Sequence, residues 1–145
     1  MNLGAISTLL LWLLAMKLTI ERLITLTHQD VIDLAKIWPN QQPAAWQQWI
    51  TEGRPLFAAR FNERLLGAVK VAVYDQQAEL QDLCVREVTR RRGVGLYLIE
   101  ETLRQLPEIK HWYLNGGDLT AAERPQMNSF MLACGFSHEA QGWRR

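Results

Sequence analysis

The stretch Leu83-Cys84-Val85-Arg86-Glu87-Val88-Thr89-Arg90-Arg91-Arg92-Gly93-Val94-Gly95-Leu96 carries the clearest chemistry in this sequence of 145 residues. A β-rich run passes through a loop with two glycines and directly into a helix-period segment. Several backbone N–H groups therefore converge where a helix dipole is positive, an arrangement that suits an anion and especially a diphosphate. Gly93 and Gly95 lack a Cβ, which permits unusual dihedrals and close approach of a ligand to the main chain. Arg90, Arg91 and Arg92 can add charge-assisted bonds to outer phosphates. Taken alone, the loop also admits a plainer reading as a turn followed by solvated arginines. Two other phosphate motifs are excluded: the spacing is not that of a P-loop, and no third glycine completes a dinucleotide fingerprint.

Other chemistries find little support. Cys84 and Cys134 are too few and too far apart for a disulfide framework or a zinc site, and read as small buried hydrophobes in a reducing compartment, the cytoplasm. His28, His111 and His138 show no pairing with a cysteine or an acid, so no metal site and no triad is assigned. A formal charge of +1 supplies no global field toward nucleic acid or anionic lipid. Apolar residues at 48% and charged residues at 21% fit one soluble globular domain.

Residues 3–15 are almost wholly apolar, but a bilayer span takes roughly 20 residues, and no basic residue precedes the run as in a signal peptide. Met16-Lys17-Leu18 makes a natural entry to a strand. Residues 1–15 are therefore either an N-terminal extension ahead of a domain at 16–145 or a hydrophobic helix packed on that domain.

These residues need elements to position them. Residues 17–26 read as a first strand, Thr27 as a helix N-cap with Asp30 three residues on, and Pro39 as the stop after Val31, Ile32, Leu34, Ala35 and Trp38 at helical spacing. Residues 44–50 suggest a short second helix. Residues 56–61 and 64–74 form two β-rich runs across an Asn62-Glu63 turn, with Val69, Val71 and Val73 on one face. In residues 79–87, Leu80 has one parity and Leu83 and Val85 the other, the mark of a bulge. Residues 93–106 form the clearest helix, striped by Leu98, Ile99, Thr102, Leu103 and Leu106, with Glu100 and Arg104 paired outside. A strand over 110–114, a helix over 123–134 and a last strand over 136–143 complete the chain. The order predicts an α/β fold, a mixed central sheet with helices on both faces.

At this point the sequence resembles a known superfamily. Arg90-x-x-Gly93-x-Gly95, after a bulge-prone strand and before a long amphipathic helix, resembles motif A of the GNAT acyltransferases, and Gly135-Phe136 resembles their late Gly-Phe signature. The resemblance implies a GNAT-like fold in which Leu83, Cys84 and Val85 meet the pantetheine arm of acetyl-coenzyme A or coenzyme A. It likewise places Thr89, Arg90, Arg91, Arg92, Gly93, Val94, Gly95 and Leu96 around the phosphates. Lys36-Ile37-Trp38-Pro39, Ala58-Ala59-Arg60-Phe61-Asn62-Glu63-Arg64-Leu65-Leu66 and Val85-Arg86-Glu87-Val88-Thr89-Arg90-Arg91-Arg92-Gly93-Val94-Gly95 are similar to the PanZ family within it. That similarity implies a ligand-dependent regulator of aspartate 1-decarboxylase (PanD). Such a regulator promotes self-cleavage of the proenzyme to its pyruvoyl form and restrains the mature enzyme, in pantothenate synthesis. Asn62 at the hairpin tip and Arg90 are the partner-facing candidates.

Active GNAT enzymes commonly carry a tyrosine four residues before the late glycine to protonate the departing thiolate. Here that position is Met131, and a thioether cannot donate a proton. No catalytic residue is assigned. The alternative, an N-acetyltransferase acting on a small amine or a protein N-terminus, would have to draw on Tyr97 or Tyr113 as acid and Glu87 or Asp118 as base.

Overall fold

A computed structural model describes residues 18–86 and 93–145. The apolar run at 3–15, the start of the first strand at Lys17, and Thr89, Arg90, Arg91 and Arg92 lie outside the described residues. The elements are β1 (Thr19–Arg22), α1 (His28–Ile37), α2 (Pro43–Thr51), β2 (Leu56–Phe61), β3 (Arg64–Tyr74), β4 (Gln77–Val85), α3 (Val94–Gln105), β5 (His111–Asn115), α4 (Arg124–Ala133), β6 (Ser137–Glu139) and β7 (Gly142–Arg144). The strands form one sheet in the order β1-β2-β3-β4-β5-β7-β6, antiparallel throughout except for the parallel pair β4 and β5.

Two apolar layers cover the two faces. Against one, Val94, Leu98 and Ile99 of α3 and Met131 of α4 pack on Val69, Val71, Leu80, Trp112 and Leu114. Against the other, Leu34, Ile37 and Trp38 from the α1 segment and Trp46 of α2 pack on Leu56, Ala58, Leu65 and Ala68. The expected mixed sheet with helices on both faces is therefore present. Among the described residues no helix is long and apolar enough to cross a membrane.

Local chemistry sets the boundaries. Thr27 and Asp30 close a capping box at the start of α1, with the Asp30 N–H donating to Thr27 Oγ1 at 3.0 Å and the Thr27 N–H to Asp30 Oδ2 at 3.2 Å. Asn62 and Glu63 both take left-handed angles, φ 48 and 68, and so reverse β2 into β3 in the primed-turn geometry that suits the strand twist.

Several sequence expectations are corrected. The buried face of α1 includes Asp30 and Asp33, while Ile32 is exposed. The apolar period misses this because both acids are satisfied: Asp30 accepts from Arg60, and Asp33 accepts from Arg64 and from the Leu65 N–H. Val73 leaves the core, exposed with Tyr74 at the end of β3. Arg104 pairs with Glu101 at 2.7 Å rather than with Glu100. The single last strand is a hairpin, β6 and β7, turned at Ala140 with φ 52.

Candidate functional site

The site grows from a fault in β4. Ala68 opposes Cys84 and Lys70 opposes Gln81, so Asp82 and Leu83 together face Val69. This is a two-for-one bulge, with Asp82 in the left-handed region at φ 55. It explains the broken alternation in the sequence. Leu80 before the bulge and Leu83 and Val85 after it pack toward α3, whereas Cys84 packs with the α1 layer.

Beyond the bulge the sheet separates. The pairing of β4 with β5 ends at Leu80 opposite Leu114, while β4 continues to Val85 beside β3. The first turn of α3 adjoins this point. Gly93 is its N-cap, at φ 78 and ψ 0, and no side chain caps the helix start. The leading amides of Val94, Gly95 and Leu96 thus carry no side-chain cap, in the positive field of the helix. The left-handed angle at Gly93 is one a side chain rarely adopts, in agreement with the reading of that glycine.

Gly95 serves a second purpose. A Cβ there would lie 3.1 Å from Phe130 Cε1 and 3.4 Å from Val85 Cγ2. Its absence lets α3 close onto α4 and β4. Gly67 does the same from β3: a Cβ would lie 3.1 Å from both the Cys84 carbonyl oxygen and Val85 Cγ2. Val85 is therefore clasped between two glycines, half-buried at the point where strand, helix start and Phe130 meet. Sequence reasoning missed Gly67 and the contact role of Phe130, although a lone glycine within the apolar run of β3 marks a close backbone approach.

The remaining candidates divide by location. Leu83, Cys84, Val85, Gly93, Val94, Gly95 and Leu96 occupy the junction of β4 with α3, Val94 as a buried core residue. Asn62 stands apart on the turn, beside a surface concavity of about 400 Å³ lined by Thr19, Arg60, Asn62 and Glu63. Met131 is fully buried in the core. Tyr97 packs against that core, and burial followed by the charge of Glu101 pushes its phenol above the ordinary range, keeping it protonated. Burial pushes the Cys134 thiol up to about 12, so it remains a packing group. Among the described residues no cluster of His, Cys, Asp and Glu could hold a metal.

Comparison with known proteins agrees with this geometry. Residues 17–144 match the family model described as the acetyltransferase (GNAT) domain, PanZ. The "PanD regulatory factor" of Escherichia coli strain K12 is 47% identical over 130 residues, covering 90% of this chain and 99% of the relative. Its counterpart in Salmonella typhimurium is 46% identical over the same shares. The solution NMR structure of Escherichia coli YhhK bound to coenzyme A has a TM-score of 0.76 at 47% identity, covering 90% of this chain and 98% of that one. The ribosomal-protein-S18-alanine N-acetyltransferase of Escherichia coli shares the fold, with a TM-score of 0.66 at 16% identity over 88% and 89% of the two chains. A bulged strand that parts from its neighbour at an uncapped helix start, matched over nearly the whole length described, makes this chain a member of the PanZ family of GNAT acetyltransferase domains.

Proposed function

We propose that this protein is a coenzyme-dependent regulatory factor of aspartate 1-decarboxylase (PanD), acting in the cytoplasm in β-alanine and pantothenate synthesis. Acetyl-coenzyme A or coenzyme A is the ligand. The arm lies along Leu83, Cys84 and Val85, and the phosphates lie against the amides of Gly93, Val94, Gly95 and Leu96, with Thr89, Arg90, Arg91 and Arg92 around them. The reading rests chiefly on the bulged β4 beside the uncapped start of α3, together with the 46% and 47% identity to two PanD regulatory factors. Fit within the chain supports it: the leading turn of α3 lacks a side-chain cap, and half-buried Leu83 and Val85 present apolar surface beside it.

The ligand supplies differential binding rather than a chemical step. It favours the arrangement that the decarboxylase recognises, through Asn62 at the hairpin tip and Arg90 beside the phosphates, and so promotes cleavage of the proenzyme and restrains the mature enzyme. Met131, in place of the family's leaving-group tyrosine, supports a regulator over an acetyltransferase. The test is a titration of the decarboxylase with this protein, with and without acetyl-coenzyme A. Tighter association with the ligand is expected; identical affinities would remove the ligand from the mechanism.

A further inference from the structure

We propose that Asp82 is the positioning residue of the coenzyme arm site, fixed from the far face of the sheet by Trp38 and Lys70; this rests on the coenzyme reading above. Asp82 opens the bulge in the left-handed region, which side chains other than glycine adopt infrequently and aspartate more readily than most, and two further groups hold it there. The Trp38 indole Nε1–H donates to the Asp82 carbonyl oxygen at 2.7 Å, and Lys70 Nζ donates to Asp82 Oδ2 at 3.0 Å. Lys70 is itself fixed: it is 8% exposed, donates to Gln41 Oε1 at 2.9 Å, and lies 5.0 and 5.6 Å from the ring centroids of Trp38 and Trp49.

The connection between α1 and α2 thus converges with β3 on one residue of β4. Strand parity makes this consequential, because a one-residue slip turns every following side chain to the opposite face. With the bulge in place, Leu83 and Val85 face α3. Without it, Cys84 would face α3, and the two apolar residues would turn toward the α1 layer.

The experiment compares Trp38→Phe, which removes the indole donor and keeps a smaller aromatic ring, with Lys70→Met, which keeps the aliphatic stem, and with Lys70→Arg as the rescue. Coenzyme A affinity is read by calorimetry, the thermal midpoint separately, and the amide shifts of the ligand-free protein by NMR. Each of the first two variants should bind coenzyme A about 5- to 10-fold more weakly, the loss expected for one hydrogen bond. Shifts should concentrate at residues 80–85, and Lys70→Arg should restore most of the affinity. Unchanged affinity in both variants overturns the inference alone, whereas no binding by the unaltered protein overturns the coenzyme reading and this inference with it. A loss of affinity that tracks the midpoint, with shifts spread through the core and no rescue, assigns these residues a general packing role and also overturns the inference.

Discussion

Gly93 is the residue on which backbone geometry and ligand charge can be separated. At φ 78 it sits where asparagine is tolerated better than other side chains, so Gly93→Asn should retain the helix start at a small cost. Gly93→Asp offers nearly the same shape but places a carboxylate where the diphosphate is proposed to lie. Calorimetry with coenzyme A should find the Asn variant within a few-fold of the unaltered protein, and the Asp variant at least about 100-fold weaker, since an opposed like charge costs several kcal/mol. Equal loss in both would make the effect one of strain. The sequence revealed this glycine because a strand, a glycine loop and a helix period meet there. It could not reveal why Gly95 is needed, because the obstructing ring, Phe130, comes from α4, and such contacts follow from packing rather than from local pattern.

The helices show how local pattern and tertiary packing compete. Gly95→Ala illustrates it: alanine favours a helix by about 1 kcal/mol, yet its Cβ would crowd Phe130 at 3.1 Å. Overpacking commonly costs about 1–3 kcal/mol, so a net fall in the thermal midpoint is expected, relieved in the double variant with Phe130→Leu. The bulge of β4 was legible as a parity break, and the stripe of α3 as a helical period. The buried acids of α1 were not, because a period count treats every carboxylate as solvent-facing, whereas Asp33 finds Arg64 at 2.7 Å and the Leu65 N–H at 2.9 Å. Burial pushes the Asp33 carboxyl up, but bonds from Arg64, Leu65 and Gln29, with the charge of Arg64, outweigh it and hold it below its ordinary 3.8. The folded state thus favours the ionised form. Its contribution is fully present above about pH 4 and is lost as the pH falls through the folded value. Asp33→Asn should lose about 2 kcal/mol at pH 7 and show a shallower fall of the midpoint between pH 5 and pH 2 than the unaltered protein.

On the scale of the molecule, α1 spans the distance between the two proposed surfaces. Its first and middle turns hold the turn end of the β2–β3 hairpin through Asp30 with Arg60 and Asp33 with Arg64, and its C-cap residue Trp38 holds the β4 bulge. The Asn62 turn and the β4 bulge beside the proposed coenzyme site are thereby braced by one helix, which makes energetic coupling between ligand and partner physically reasonable. Two quantities follow from linkage. Coenzyme at 100 times its dissociation constant should stabilise the protein by about 2.7 kcal/mol, which for a chain of this size raises the midpoint by roughly 5–10 °C. The factor by which acetyl-coenzyme A tightens association with the decarboxylase must equal the factor by which the decarboxylase tightens acetyl-coenzyme A. Calorimetric titrations run in both directions should agree on that factor and find it above 1, while Gly93→Asp should bring it to about 1 and abolish the thermal shift. A thermal shift of the expected size alongside a factor of 1 would retain the coenzyme site and sever it from regulation, because tight binding that does not discriminate between free and partnered states moves no equilibrium.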